Sequence, residues 1–197
     1  MPRVRYLVGT FFIVCAALSS GYAQQAQKPE TKSDIPARYA ATAFGQHGST
    51  YGKSFGLTIY VQGLTSDGDI QELVGILKET GQEGVARAMG KMKDKGQVSP
   101  AASVGTGVRV VRIRPSRNGG QHIVLATDRP ISFGEAYNST RSRDYPIGIV
   151  VLDVDKDGKG SGTFAVACKI KFNKNDELQI EHYGQKPLRL ANVYRQN

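Results

Sequence analysis

The pattern of apolar and polar residues changes twice along the chain. Residues 6–18 are almost continuously apolar, whereas residues 24–53 have no apolar periodicity. From Phe55 to Gln62 apolar and polar residues alternate, which is the period of a half-buried strand. We therefore expect one folded domain over residues 54–197, preceded by a flexible leader over residues 24–53.

A helical pattern follows the first predicted strand. Ser66 and Asp69 have the spacing of an N-cap residue and its reciprocal acid. Apolar residues then recur at i, i+3, i+4 and i+7 from Ile70. Gly81 is typical of a helix C-terminus, and the same spacing resumes at Val85. The segment is predicted to be either a helical hairpin or one kinked helix.

Strand patterns separated by short turn sequences occupy the rest of the chain. The predicted strands are Gly96–Val98, Val108–Arg114, Gln121–Thr127, Ile147–Val154, Thr163–Phe172, Glu177–Tyr183 and Leu188–Tyr194. Several links are too short for parallel crossovers, so the strands should form an antiparallel meander. Residues 147–154 are apolar on both faces, which predicts a central strand covered on one side by the helices. The predicted fold class is α+β, with a curved meander sheet that can curl into a barrel.

The first 23 residues have the organisation of a signal peptide. Arg3 and Arg5 precede the apolar run, and small residues end it at Ala23. This run is shorter than the roughly 20 residues of a transmembrane helix, and no later stretch reaches that length. We expect cleavage after Ala23 and an exported protein, periplasmic or secreted, without a transmembrane segment.

Composition adds a basic charge and a lone thiol. The net charge is +9, and removal of the two arginines in residues 1–23 leaves +7. A positive surface suits an anionic partner, although it also keeps a protein soluble. Cys168 would be the only cysteine after cleavage, so no intramolecular disulfide can form. Its alternation with Phe164, Val166 and Ile170 predicts an inert thiol on the same buried face.

Four short phrases of the sequence resemble those of an uncharacterised group of exported bacterial proteins. The phrases are Gly105–Val108, Thr127–Phe133, Arg141–Pro146 and Gly160–Thr163. The resemblance extends from about Thr65 to the C-terminus. It implies a single exported domain, and it implies no activity, cofactor or site residue.

The connection from Asp128 to Pro146 is longer than a meander needs. Its candidate binding residues are Asp128, Arg129, Glu135, Tyr137, Arg141, Arg143, Asp144 and Tyr145. Long polar connections often carry function, and arginines next to carboxylates suit an anionic or sugar ligand. Glu135 with Asp128 or Asp144 would instead supply the acid and base of a glycoside hydrolase. A structural loop in which these charges pair with one another is the third interpretation.

Residues 153–158 match the opening of a calcium loop. Asp153, Asp155 and Asp157 stand at alternate positions before Gly158. Phe164 occupies the twelfth position, where a bidentate glutamate should complete the coordination. A tight turn between two strands explains the same residues. The sequence favours this hairpin and leaves a weak calcium site as the alternative.

Arginines recur in the predicted strand near residue 110. Arg109, Arg112, Arg114 and Arg117 lie on or just after this strand without interleaved aromatic residues. The pattern favours a charged strand edge over a nucleic-acid surface. The sequence also lacks phosphate-loop, nucleophile-elbow and C-x-x-C motifs. We predict no cofactor and no metal.

These patterns favour a non-catalytic exported binding domain with an anionic or a small apolar ligand. Two other functions stay open: a hydrolase using carboxylates of residues 128–146, and a purely structural envelope protein. A cleft lined by Glu135 and a second carboxylate would favour the hydrolase. An apolar cavity beneath the helices would favour ligand binding.

Overall fold

The computed structural model describes residues 35–47, 51–116, 119–131, 144–173, 178–182 and 186–196. Its elements, in chain order, are β1 (Ala37–Phe44), β2 (Ser54–Val61), α1 (Asp67–Lys91), β3 (Gly96–Pro100), β4 (Thr106–Val108), β5 (Val110–Pro115), β6 (Gln121–Thr127), β7 (Ile147–Val154), β8 (Lys159–Phe172), β9 (Leu178–His182) and β10 (Leu188–Gln196).

The described strands form one ten-stranded sheet. Their order is β4-β3-β2-β1-β10-β8-β7-β6-β5, and β9 also pairs with β8. Every pairing is antiparallel. The sheet curls into a nearly closed barrel with one seam. The predicted α+β class and the curved antiparallel meander are thereby confirmed.

The seam lies where the chain passes from β4 to β5. β4 pairs with β3, whereas β5 pairs with β6. Between them, the backbone N–H of Arg109 donates to the carbonyl of Ala126 at 2.9 Å. Thr65, just before α1, exchanges two hydrogen bonds with the Val111 backbone, at 3.0 and 2.9 Å. β4 and β5, which Arg109 separates, therefore stand at the two ends of the strand order.

The apolar residues form two clusters. The first fills the barrel with side chains from every described strand except β9, and Tyr39 and Phe164 are its largest fully buried members. The second joins Leu77, Val85 and Met89 of α1 to residues of β5, β7 and β8. The barrel interior is therefore a packed core, as in other small barrels.

Strand β7 supplies both clusters. Val150, Leu152 and Val154 belong to the barrel cluster, whereas Ile147 and Ile149 pack in the helix cluster. β7 lies between β6 and β8 in the sheet. The prediction of a central strand with two apolar faces, one of them covered by helix, is confirmed.

Helix α1 is folded back on itself at Gly81. Ser66 and Asp69 form the predicted capping box at its start, and Gly81 has a non-helical backbone (φ 72°, ψ −168°). A straight helix of this length would extend about 37 Å. Val61 and Gly96, which flank the helical segment, are nevertheless directly paired. Two helical halves, before and after Gly81, satisfy both observations. No helix in the described part of the chain is long and apolar enough to cross a membrane.

Strand β1 corrects the predicted leader. Ala37–Phe44 pairs with β2 on one side and β10 on the other, and Tyr39 is 2% exposed. The expected flexibility of residues 24–53 is therefore wrong for this segment. Its buried positions are mostly alanines, whose small side chains give the alternation little apolar contrast. Residues 1–34, including the predicted signal peptide, lie outside the described residues.

An irregularity in β8 corrects the predicted position of Cys168. Three steps along β8, from Ala165 to Cys168, oppose two steps along β7, from Ile149 to Ile147. This extra residue is a β-bulge, which reverses the side-chain alternation. Cys168 therefore packs in the helix cluster, whereas Phe164 lies in the barrel cluster. The predicted burial of Cys168 is confirmed. The predicted shared face is right for Ile170, which packs in the same cluster, and wrong for Phe164 and Val166.

Candidate functional site

The predicted binding loop is described only at its two ends. Asp128 and Arg129 begin it, and Asp144 and Tyr145 end it. The other four candidates, Glu135, Tyr137, Arg141 and Arg143, lie outside the described residues. The two ends contact opposite ends of the second helical half of α1, as shown below.

Asp128 belongs to a group of contacting residues that we name the seam cluster: Met92, Asp94, Arg109 and Asp128. Arg109 Nη1 donates to the Met92 carbonyl at 3.0 Å and contacts Asp94 Oδ1 at 2.8 Å. Its Nε lies 3.4 Å from Asp128 Oδ1. This last contact is ionic, because neither atom has a hydrogen-bond partner in the described residues. Arg109 thus connects the C-terminal cap of α1 to the start of the predicted loop.

Two charged members of the seam cluster are largely withdrawn from solvent. The side chains of Arg109 and Asp128 are 16% and 15% exposed. A Cβ atom at Gly90 would lie 3.4 Å from Asp128 Oδ2, which places this carboxylate against the second helical half. A buried carboxylate neutralised by an arginine suits structural anchoring better than proton transfer. The side-chain hydroxyl of Thr127 donates to the Arg129 carbonyl, which holds the main chain of this end.

The other end of the loop meets an open groove of about 600 Å³ beside the bend in α1. We name it the bend groove. Its lining comprises Lys78, Lys169, Lys171, Glu181, the apolar Leu77, Ile170 and Phe172, and the bend residues Gly81 and Gln82. The lining therefore combines three lysines and one glutamate with three apolar residues.

Two lysines of the bend groove lie over aromatic rings. Lys169 Nζ is 4.6 Å from the ring centre of Tyr145, and Lys78 Nζ is 5.1 Å from that of Phe172. Such contacts attract an ammonium group to the ring face without neutralising its charge. Lys171 Nζ lies 3.6 Å from Glu181 Oε2, and the Tyr145 hydroxyl donates to Glu181 Oε1 at 3.3 Å. Lys171 is 59% exposed, so its charge remains near the surface.

Gln82 links the helix bend to both the loop and β8. Its side-chain amide Nε2 donates to the Asp144 carbonyl at 2.9 Å. Its Oε1 accepts the Ile170 backbone N–H at 3.3 Å. The side-chain amide thus donates to one segment and accepts from the other, as a main-chain peptide group does between two strands. Gln82 therefore holds α1 at the edge of β8 where β7 stops.

The structure brings only part of the predicted site together. Tyr145 contacts the bend groove through its ring and hydroxyl, and Asp144 contributes a carbonyl. Asp128 lies at the other end of the helical half. The groove lysines and Gln82 were missed by the sequence reasoning. Their signal was the alternation of Lys169 and Lys171 with apolar neighbours in a predicted strand, which reports a polar face but not the helix opposite it.

Cys168 and His182 lie directly opposite each other in the β8–β9 ladder. The Cys168 thiol donates to the Ile147 carbonyl at 3.1 Å, and burial raises its pKa to about 12. Burial also lowers the pKa of His182. A thiol nucleophile requires a lowered pKa and a cationic neighbour, and this pair has neither. The geometry supports the predicted inert thiol.

Two of the predicted edge arginines contact the two ends of α1. Arg112 Nη2 contacts Asp67 Oδ1 at 2.6 Å, and its Nη1 donates to the Thr65 carbonyl at 3.0 Å. Arg109 contacts the other end through Met92, as described above. Because β5 is the last strand of the sheet order, an edge-protecting role for these two side chains stays a prediction. Arg117 lies outside the described residues.

The acidic run at residues 153–157 forms a turn. Asp155 N–H and the Lys159 carbonyl close it at 2.8 Å, and Asp155 Oδ1 accepts the N–H groups of Asp157 and Lys159, both at 2.9 Å. Asp153 lies on β7 and contacts His122 across the sheet. The predicted β7–β8 hairpin is confirmed. Within the described residues no three acidic, histidine or cysteine side chains group as metal ligands, so these aspartates do not converge on calcium.

Comparisons with protein-family models, with curated proteins and with solved structures gave no match for this chain.

Proposed function

We propose that this protein is a non-catalytic binding domain that holds an anionic ligand in the bend groove. The supporting observation is the lining, which combines three lysines and one glutamate with three apolar residues around about 600 Å³. This volume lies within the roughly 300–1,000 Å³ of ligand sites. The positive excess suits a carboxylate or a phosphate, which lysine binds as a point charge.

The proposed setting is outside the cytoplasm. The support is the sequence of residues 1–23, with its basic start, apolar run and small residues before position 24. In that setting a binding domain meets anionic envelope and extracellular molecules. The basic net charge of the chain would raise their local concentration.

A hydrolytic function has less support than binding. Glycoside hydrolysis needs two carboxyl groups on either side of the scissile bond. Among the described residues Asp128 forms an ion pair with Arg109, and Asp144 contacts Gln82 through its main chain. Glu181 is the single carboxylate of the described groove lining. A purely structural role leaves the three lysines of the groove unexplained.

Thermal unfolding of the full protein with a panel of anionic, neutral and cationic small molecules tests the proposal. Anionic compounds should raise the melting temperature, because a ligand at 100 times its Kd stabilises by about 2.7 kcal/mol. The shift should disappear in the double variant Lys169→Glu and Lys171→Glu. It should persist in Lys156→Glu and Lys159→Glu, which makes the same charge change in the distant β7–β8 turn.

Equal loss of the shift in both double variants would indicate a diffuse charge effect and refute the groove. The absence of any shift with the whole panel would refute the binding function.

A further inference from the structure

We infer that the ligand of the bend groove is an extended peptide that adds to the edge of β8, with acidic side chains alternating with apolar ones. This inference rests on the proposed binding function and names the class of ligand. Three observations carry it: the groove follows one strand, no described strand pairs with the edge there, and the two faces of the strand differ in chemistry.

The groove follows the edge of β8. Its lining includes four consecutive strand residues, from Lys169 to Phe172. Successive side chains of a strand point to opposite faces. A groove that contacts all four therefore reaches both faces of the strand, and its lining extends to Glu181 of β9. Four residues span about 10 Å, which matches a peptide segment of similar length.

No described strand covers this edge of β8 beyond Cys168, and the Gln82 side chain occupies one of its main-chain groups. Cys168 pairs with Ile147 of β7 on one side and with His182 of β9 on the other, so the two neighbours occupy opposite edges. β9 continues to Phe172, whereas β7 stops at Ile147. Within the described residues no strand pairs with the β7 side of residues 170–172. The Ile170 N–H points to this side, because Gln82 accepts it at 3.3 Å.

The part of this edge that no described strand covers offers main-chain groups for a further strand. Alternate residues of a strand direct their N–H and C=O groups to the same side. The Ile170 carbonyl and both main-chain groups of Phe172 therefore point to the same side as the Ile170 N–H, which Gln82 already accepts. Strand addition uses such groups for affinity and alternate side-chain pockets for specificity.

The two faces of this edge differ. Lys169 and Lys171 lie on one face, and Ile170 and Phe172 lie on the other, where Leu77 of α1 closes the groove. A strand paired with β8 places its alternate side chains next to these same two faces. Acidic residues would meet the lysines, and apolar residues would meet Ile170 and Phe172. A small anion reaches only one of the two faces.

The experiment uses a fluorescently labelled, end-capped seven-residue peptide in which glutamate alternates with leucine. Fluorescence anisotropy with the full protein should show saturable binding. Two matched peptides are the controls: one has the same composition with the glutamates in a block, and one is N-methylated at the amides that would face β8. Both should bind at least tenfold more weakly, because they lose the alternation or the main-chain hydrogen bonds.

The protein variants locate the site. Lys169→Glu with Lys171→Glu should abolish binding, and Lys156→Glu with Lys159→Glu should leave it unchanged. Circular dichroism checks that each variant is folded. If the charge reversal unfolds the protein, Lys169→Gln with Lys171→Gln serves in its place and should weaken binding at least tenfold.

Decanoate, a small amphipathic anion, separates the two levels of the proposal. If decanoate binds in the groove and the peptide does not, or if N-methylation has no effect, strand addition is refuted and the binding function stands. If neither the peptide, decanoate nor the compound panel binds, both proposals fail.

Discussion

The second helical half of α1 has a charged group at each end, and the two groups differ in how they are held. In the seam cluster, the Arg109 side chain is 16% exposed and contacts three partners. In the bend groove, Lys171 is 59% exposed and contacts Glu181, itself 52% exposed, at 3.6 Å. Buried charges with several partners fix the position of chain segments, whereas exposed single pairs contribute little to stability and leave their charges accessible.

The residue types agree with this difference. An arginine has a planar fork of donors that can satisfy several acceptors at once, and Arg109 serves Met92, Asp94 and Asp128 in this way. A lysine carries one compact, well hydrated charge. The lysines of the bend groove therefore suit an exchangeable partner, and the following variants test whether the two ends differ as proposed.

Arg109→Met should have the largest effect. Removing the guanidinium leaves the Asp128 carboxylate buried without a counter-charge, which typically costs 3–5 kcal/mol for a buried pair. Because Asp94 is half exposed, we expect a loss of about 3 kcal/mol in the free energy of unfolding. Urea denaturation gives the value. Arg109→Lys keeps the charge and should lose less; a loss below 1 kcal/mol for Arg109→Met would contradict the anchoring role.

Gly81→Ala tests the bend that separates the two regions. At φ 72° and ψ −168° a residue with a Cβ is strained, which costs on the order of 1–3 kcal/mol. Gly75→Ala is the matched control, because a Cβ would meet no atom within 4 Å at either position. Inside a helix this control should stabilise by about 1 kcal/mol. Equal effects of the two substitutions on urea denaturation would show that the bend is not strained.

The pH dependence of stability tests the strand that carries the bend groove. Burial lowers the pKa of His182 in the folded protein below its usual 6.5. The unfolded chain therefore takes up the proton first, and stability falls as the pH drops below about 6.5 towards the lowered pKa of the folded state. His182→Asn should reduce this fall in melting temperature between pH 7 and pH 5. An unchanged pH profile would show that His182 is not responsible.

Lys171→Met should have the smallest effect on stability. An exposed pair of this kind contributes about 0–1 kcal/mol, so the free energy of unfolding should change by less than 1 kcal/mol. The same variant should weaken binding of the alternating peptide, which separates binding from stability. A large loss of stability on urea denaturation would mean that the two ends of the helical half are anchored alike.

Much of the sheet could be predicted from the sequence. The boundaries of β6 and β7 agree with the alternation of residues 121–127 and 147–154, because each strand has at least one fully buried apolar face. The capping box of Ser66 and Asp69 is equally local, since both partners lie within one helical turn. Patterns of this kind depend on neighbours in sequence and are readable without the fold.

Features that depend on distant segments could not be predicted. β1 was missed because its buried alanines lack apolar contrast, and its two partners lie far away in the chain. The β8 bulge moved Cys168 to another cluster, since one extra residue changes the face of every side chain beyond it. The bend groove depends on Gln82 meeting Ile170, which no spacing in the sequence reports.

The position of β1 in the sheet has a consequence for how the protein folds. β1 lies between β2 and β10, so Arg38 pairs with both Tyr60 and Gln196. The first of these contacts is local, and the second joins opposite ends of the described chain. Contacts of such long sequence separation slow folding, because loop-closure entropy is lost before the pairing compensates for it. A nascent chain that lacks β10 would expose one edge of β1, because β10 is the strand that connects β1 to β8.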